Sequence, residues 1–252
     1  MKPSSAVIIT RVAELQWHAL EDDRVIGRGE ASRRPDGRLF LSIDAWHDAV
    51  FDRIAAAMLP DLPRPLYTVV DEVDRELLAS WERAGLLVRR REWEYLVPTD
   101  PEVTGLGEVS PPEDVTIVNL GAAQMRPLQE LDCTIRAEID ATVGWQSMPA
   151  EMLTAPADPS KYAVAAESGE YVALVRVVQV HRLPRIGLLA VRSDRRRRGL
   201  ARALLAQVLG GLHSAGIDTA SCEVDESNTA ALALFDSIGG RRVAANLELV
   251  CR

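Results

Sequence analysis

The chain is poor in cysteine. Its 252 residues include only Cys133, Cys222 and Cys251, an odd number at wide spacing. That spacing matches neither a zinc-ligand pattern nor a disulfide framework. We therefore expect three small buried apolar residues and no bound metal.

Long apolar runs are also missing. Nothing approaches the 18 consecutive apolar residues of a transmembrane helix, so no membrane partner is predicted. The N-terminal residues 1–5 lead into a short apolar run, Val7–Ile9, which is too short for a signal peptide. These features favour a cytoplasmic protein.

Lysine is scarce, since only Lys2 and Lys161 among the 29 basic residues are lysines. The formal net charge of −8 argues against nonspecific binding to nucleic acid, so no nucleic-acid partner is predicted. Each local arginine cluster has to be interpreted from its context.

A proline- and glycine-rich acidic stretch near the middle indicates a domain boundary. We predict one domain over residues 1–104, a linker over 105–112 and a second domain over 113–252. The length suits two small domains.

A repeat relates the two predicted domains at an offset of 154 residues (225 minus 71). Chance similarity of two short units is the alternative, but the shared register favours duplication. The matching pairs are Val70-Asp71-Glu72 with Val224-Asp225-Glu226, Leu78-Ala79 with Leu232-Ala233, Gly85 with Gly239, Asp74 with Asn228, Trp81 with Phe235, and Glu82 with Asp236.

Apolar periodicity predicts a mixed α/β fold in both halves. The C-terminal half reads as a helical segment over 121–156 followed by β, β, β, α, β, α, β. The N-terminal half reads as β, β, β, α, β, α, β, with its first helix over Ala45–Leu59.

The sharpest local signal is an arginine run, Arg195–Arg198, followed by Gly199. It lies between an apolar strand and an amphipathic helix, where unpaired helix amides and the helix dipole favour an anion. Gly199 removes a side chain where the backbone would approach the anion. A solvated charge run or a nucleic-acid patch is the alternative. The pattern is neither a Walker loop nor a dinucleotide fingerprint.

Two motifs here resemble those of the GNAT superfamily of N-acetyltransferases. The first runs from Arg196 through Gly199 to Ala201, and the second comprises Asn228, Ala231, Phe235 and Gly239. The resemblance covers essentially all of residues 113–252. It implies two GNAT-like domains in tandem, each a twisted, mostly antiparallel sheet flanked by helices, with a degenerate N-terminal copy.

The resemblance also implies roles for individual residues around acetyl-CoA, or another acyl-CoA, as co-substrate. Main-chain groups of one strand would hold the pantetheine arm and the acyl carbonyl, the loop amides would hold the pyrophosphate, Asn228 would bind the pantetheine region, and the following helix would flank the thiol end. The implied contacts are Leu189, Ala190 and Val191 on the strand, Arg196, Arg197, Arg198, Gly199, Leu200, Ala201 and Arg202 in the loop, and Asn228, Ala231 and Phe235 at the helix.

The match departs from the family at the position of the general acid. Family members often carry tyrosine where this chain has Phe235, and phenylalanine has no proton to donate. A thiolate is nevertheless a fair leaving group, because a thiol has a pKa of about 8.5. Ser237, Tyr162 or water are the alternatives.

A base is needed because the attacking amine must be neutral. The strand before the loop has no carboxylate, so the candidate is Glu223, with Asp225 on the same side of its strand. Both residues could instead be solvated strand ends.

The N-terminal copy lacks the loop. Its corresponding segment, Ser42–Asp48, has no glycine and two acidic residues that would repel phosphate. Asp44 is predicted to be a helix N-cap. We expect this copy not to bind CoA.

These observations predict an N-acyltransferase that moves an acyl group from CoA to a primary amine by direct attack in a ternary complex. The acceptor would lie between the segment 121–156, including Trp145, and the end of the sheet. A non-catalytic acyl-CoA sensor or scaffold is the alternative. Monomer and homodimer both remain open.

Overall fold

The chain divides into two compact mixed α/β units. The computed structural model describes residues 6–34, 36–144, 148, 152, 156–180 and 183–252. The first unit comprises Met1–Glu92 with Ala244–Arg252, and the second comprises Trp93–Val243. The predicted fold class is confirmed.

The first unit has a sheet in the order β1-β2-β3-β4-β5-β12. Its pairs are antiparallel except β4 with β5, which are parallel. The sheet and two helices enclose one core that includes Trp17, Ile54, Trp81 and Leu249. The elements are β1 (Ile8–Ala13), β2 (Gln16–Glu21), β3 (Arg24–Arg33), β4 (Leu39–Ala45), α1 (Asp48–Met58), β5 (Leu66–Asp71), α2 (Arg75–Arg83) and β12 (Arg241–Cys251), of which the residues from Ala244 onward belong here.

The second unit has a sheet in the order β7-β8-β9-β10-β11-β6. Strands β7 to β10 are antiparallel, and β10 pairs in parallel with β11. Helix α4 packs on one face and α5 on the other, so the sheet separates two apolar clusters. The elements are β6 (Leu87–Pro98), of which the residues from Trp93 onward belong here, α3 (Pro101–Thr104), β7 (Val115–Val118), α4 (Met125–Asp140), β8 (Tyr162–Glu167), β9 (Glu170–Val180), β10 (Leu183–Val191), α5 (Leu200–Ser214), β11 (Thr219–Asp225) and α6 (Thr229–Ser237).

The two units repeat the same strand order with their last strands exchanged. Strand β6 follows α2 in the chain but belongs largely to the second unit's sheet, whereas β12 follows α6 but completes the sheet of the first. The segment predicted as the linker, 105–112, lies inside the second unit. Leu106, within that segment, is buried in the core of the second unit.

The repeat extends to hydrogen bonds. Asp74 caps α2 by accepting from the amide of Leu77, and Asn228 caps α6 by accepting from the amide of Ala231. Gly85 and Gly239, which follow these helices, both have left-handed backbones, with φ of 91° and 76°. Shared caps and shared left-handed glycines support duplication over chance similarity.

Several sequence predictions were wrong in detail. Strands β2 and β7 were not predicted. Asp44 is not a cap but continues β4, where it pairs with Arg28, and the residue before α1 is His47. Cys133 is exposed on α4, although Cys222 and Cys251 are buried as expected.

The helical segment predicted over 121–156 contains α4, while Trp145 lies outside the described residues. Among the helices that the structure describes, none is long and apolar enough to cross a membrane.

Because β12 completes the sheet of the first unit, a substitution in its buried part should destabilise that unit. Leu249 on β12 is fully buried in the first unit's core, whereas Val243 on the same strand is 40% exposed. We expect Leu249→Ala to lower the free energy of unfolding by about 2–5 kcal/mol, because it leaves a core cavity. Val243→Ala should cost less than about 1 kcal/mol. Urea unfolding measures both, and equal losses would contradict this role of β12.

Candidate active site

Strands β10 and β11 pair over only a short distance. Strand β10 pairs with β9 from Leu183 to Val191, but with β11 only at Arg185–Ser221 and Ile186–Cys222. A register shift between Ile186 and Leu188 places a bulge at Gly187. Within the described residues, β10 thus has no strand partner on its β11 side beyond the bulge, and an extended ligand can pair with such an edge.

Leu189, Ala190 and Val191 form this open edge. Their side chains are half-buried and pack against the clusters on the two faces of the sheet. That packing leaves the main chain in the plane of the sheet, where the carbonyl of Val191 accepts from Arg196 Nε at 3.3 Å. The structure therefore places these predicted contact residues along the edge of the sheet.

The loop after β10 turns its backbone into a concave set of amides. A short 3-10 turn, Ser193–Arg195, precedes two left-handed residues, Arg197 (φ 66°) and Gly199 (φ 82°). The first main-chain bond of α5 runs from the amide of Ala203 to the carbonyl of Gly199, at 3.0 Å. No acceptor is found among the described residues for the amides of 196–202. They form an amide nest at a helix N-terminus, an arrangement that suits an anion.

Gly199 is needed for its backbone angle rather than for space. A Cβ atom added there would meet no heavy atom within 4 Å. Its left-handed φ is the conformation in which glycine is favoured. Leu200, in contrast, is buried under the loop as the first residue of α5.

The arginines of the loop are not equivalent. Arg195 and Arg198 both form ion pairs with Glu167 on β8, and Arg198 also pairs with Asp114 at 3.0 Å. These hydrogen bonds lower the pKa of Glu167 to about 2. Arg196 lies 3.6 Å from Glu138, and Arg197 is exposed.

Arg202 also has a partner, since it donates to the hydroxyl of Ser237 at 2.9 Å. Arg196 donates to the carbonyl of Val191 at 3.3 Å besides its ion pair with Glu138. Among the described loop arginines, Arg197 is therefore the least engaged, and it is the most available cation for an anion at the nest.

Glu138 anchors the loop to α4 and was not predicted from the sequence. Its carboxylate accepts from the amide of Ser193 at 2.9 and 3.1 Å and from the hydroxyl at 2.9 Å. No motif marked it, because α4 and the loop are far apart in the chain.

Two of the predicted contact residues at α6 also have structural roles, one as a helix cap and one in the core. The side-chain carbonyl of Asn228 accepts from Ala231 at 3.1 Å, which leaves the amide NH₂ as the donor toward a ligand. Phe235 is 4% exposed, and its ring lies 5.9 Å from that of Tyr95. Its repeat counterpart, Trp81, is also buried, so Phe235 has a core role.

The packing around Phe235 also explains why residue 240, shortly after α6, is a glycine. A Cβ atom on Gly240 would lie 2.7 Å from the carbonyl oxygen of Phe235 and 3.2 Å from the Tyr95 ring. A larger side chain at this position would therefore not fit against Tyr95.

A row of polar residues crosses the sheet at the bulge, on the face covered by α4. Tyr162 pairs with Arg176, and Arg176 pairs with Leu188 beside Gly187. Glu223 follows the last β11 residue that pairs with β10, and it forms an ion pair with Arg185. The structure thus brings the predicted base to the row, while the place of Arg176 in it depends on a bulge that periodicity does not show.

No group of three or more histidine, cysteine, aspartate or glutamate side chains is placed to hold a metal ion in the part of the chain that the structure describes.

The Glu167 ion pairs predict an acid-sensitive loop. Because the folded pKa of Glu167 is about 2, below its ordinary 4.5, the carboxylate stabilises the fold above pH 4.5, and this stability is lost as pH falls toward 2. We expect the free energy of unfolding of the wild type to fall more steeply than that of Glu167→Gln over this range. Equal slopes in acid titrations of unfolding would contradict the assignment.

Known structures share the fold over nearly the whole chain. A GCN5-related N-acetyltransferase from Sphaerobacter thermophilus is 16% identical with a TM-score of 0.66, covering 96% of this chain and 82% of that one. A tandem GNAT protein from the clavulanic acid biosynthesis pathway, solved without AcCoA, is 14% identical with a TM-score of 0.64, covering 99% and 83%. A GCN5-related N-acetyltransferase from Kribbella flavida is 15% identical with a TM-score of 0.62, covering 98% and 89%.

None of the curated protein sequences compared with the chain is significantly similar to it. The model of the acetyltransferase (GNAT) family, however, matches residues 126–239, which contain α4, the β10 edge, the amide nest and α6. This part of the chain is therefore a GNAT acetyltransferase domain.

Proposed function

We propose that the second unit binds acetyl-CoA and transfers its acetyl group to a primary amine. The amide nest formed by residues 196–202 carries this proposal, since seven amides without a described acceptor suit a pyrophosphate. The β10 edge lies directly before the nest and suits an extended arm. The bound thioester would supply the activated acyl group.

The first unit is proposed not to bind CoA, because its corresponding strands lack the bulge. Its β3–β4 register runs without a shift from Gly27–Ala45 to Arg33–Leu39. The buried hydroxyl of Thr68 on β5 donates to the carbonyl of Leu41 on β4 at 2.9 Å and so occupies a main-chain group of that edge. Asp44 and Asp48 add negative charge within the segment that replaces the nest.

Glu223 is the proposed base. It lies where β10 and β11 part, on the face that carries Arg176 and Tyr162. Its ion pair with Arg185 orients the carboxylate, as a proton acceptor requires. Phe235 donates no proton, so the thiolate would leave unassisted or take a proton from solvent.

Binding is tested by a matched pair of variants at Gly199, where both asparagine and aspartate fit the open space and tolerate a left-handed backbone. Saturation of the wild type with acetyl-CoA at 100 times Kd should stabilise it by about 2.7 kcal/mol, measured as a thermal shift. Gly199→Asn should keep most of this shift, and Gly199→Asp should lose it through repulsion of the phosphates. No shift in the wild type, or equal shifts in the two variants, would refute the nest as the site.

Turnover is tested by thiol release from acetyl-CoA over a panel of amines. Loss of a general base should lower kcat/KM by roughly 10²–10⁴-fold in Glu223→Gln. Asp225→Asn is the control, since Asp225 accepts from Ser227 through an oxygen that asparagine retains. Similar rates in the two variants would exclude Glu223 as the base. Binding without thiol release in the wild type would favour an acyl-CoA sensor or scaffold instead.

A further inference from the structure

Within the described residues, Arg176 is a buried cation without a counter-ion. Its exposure is 9%, its Nε is buried and finds no hydrogen-bond partner there, and its Nη1 donates to the Met152 sulfur at 3.5 Å. No carboxylate within the described residues lies at ion-pair distance from it. Arginine does not lose its proton in proteins, so the charge remains, and a buried unpaired charge is costly.

Tyr162 presents a second unused donor beside it. The residue is fully buried, and its hydroxyl has no partner in the described structure. Burial, and then the charge of Asp132, raise the pKa of Tyr162, so the phenol stays protonated. A buried hydroxyl and a buried guanidinium without acceptors both call for an oxygen ligand.

The nearby carboxylate of Asp132 does not supply the missing oxygen acceptor. Asp132 on α4 is itself buried and accepts from Arg136 Nε at 2.6 Å. Asp132 is therefore engaged by Arg136 and is not at ion-pair distance from Arg176.

Gly187 places the bulge directly against the guanidinium. A Cβ atom there would lie 3.1 Å from Arg176 Nη1, and it would meet no other heavy atom of the described residues within 4 Å. Glu223, the proposed base, lies on the next strand and on the same face. A group held by Arg176 would thus lie close to the point where β10 and β11 part.

We propose that the acceptor is a small amine that also carries a carboxylate, of the amino-acid class, and that Arg176 and Tyr162 bind this carboxylate. The planar guanidinium matches a carboxylate through two parallel hydrogen bonds, and the phenol supplies a third donor. The amine end then extends toward Glu223. This inference rests on the proposed acetyltransferase function.

The test compares amino acids with their matched amides. Purified protein saturated with acetyl-CoA is titrated with the twenty common α-amino acids, β-alanine, γ-aminobutyrate, the corresponding amides and phosphoethanolamine. Thermal shift and thiol release are measured together. We expect at least one carboxylate compound to bind about tenfold or more tightly than its amide, since hydrogen bonds to charged groups are the strong ones.

Two variants test whether Arg176 and Tyr162 cause the preference for a carboxylate over its amide. Arg176→Met should reduce the preference for carboxylate over amide to about onefold and should not lower the melting temperature of the ligand-free protein, because a buried unpaired charge is replaced by an apolar side chain. Tyr162→Phe, which deletes only the hydroxyl, should weaken carboxylate binding about five- to tenfold. Both should keep the acetyl-CoA shift.

The outcomes separate the two proposals. Absence of the acetyl-CoA shift in the wild type refutes the proposed function itself. A normal shift with no preference for any carboxylate over its amide, or with a preference for phosphoethanolamine, refutes the carboxylate site alone. If Arg176→Met does not fold, unchanged carboxylate affinity in Tyr162→Phe refutes it equally.

Discussion

The early end of the pairing between β10 and β11 is the constraint on which the site depends. Two parallel pairs hold these strands together, and then the bulge at Gly187 turns β10 away. Main-chain groups that a sheet normally satisfies internally are left for a ligand, which a folded protein tolerates only where something else meets their hydrogen-bonding need. The amide nest follows in the loop directly after this strand, so the edge and the nest are neighbours in the chain.

The duplicated unit shows what happens when this constraint is removed. Strands β4 and β5 also pair in parallel at only two positions, Leu39–Leu66 and Phe40–Tyr67. There, however, the β3–β4 register is continuous, and Thr68 satisfies the carbonyl of Leu41. The two units share one strand order, yet the edge of β10 is open in the second unit and the corresponding edge of β4 is closed in the first. A few residues make this difference.

Electrostatics divides the arginines of the second unit into two kinds. Arg195 and Arg198 are tied to Glu167 and hold the loop against β8. Arg176 is buried and has no such partner in the described part of the chain, although a carboxylate, Asp132, lies in the same cluster. Ion pairs that only brace the loop are expected to weaken with acid or salt, whereas an unpaired buried charge is satisfied by a ligand.

The sequence by itself determined the mixed α/β class, the repeat, the loop with Gly199 before α5 and the ends of α6, because these depend on local periodicity, caps and glycines that neighbouring residues dictate. It placed Glu223 correctly on a strand next to the loop, but it could not show the Arg185 partner. Only the tertiary structure decided the exchange of β6 and β12, the anchoring of the loop by Glu138, the core role of Phe235 and the row from Tyr162 to Glu223. Each of these depends on contacts between residues far apart in the chain, and the register of a sheet across a bulge is set by packing rather than by any local pattern.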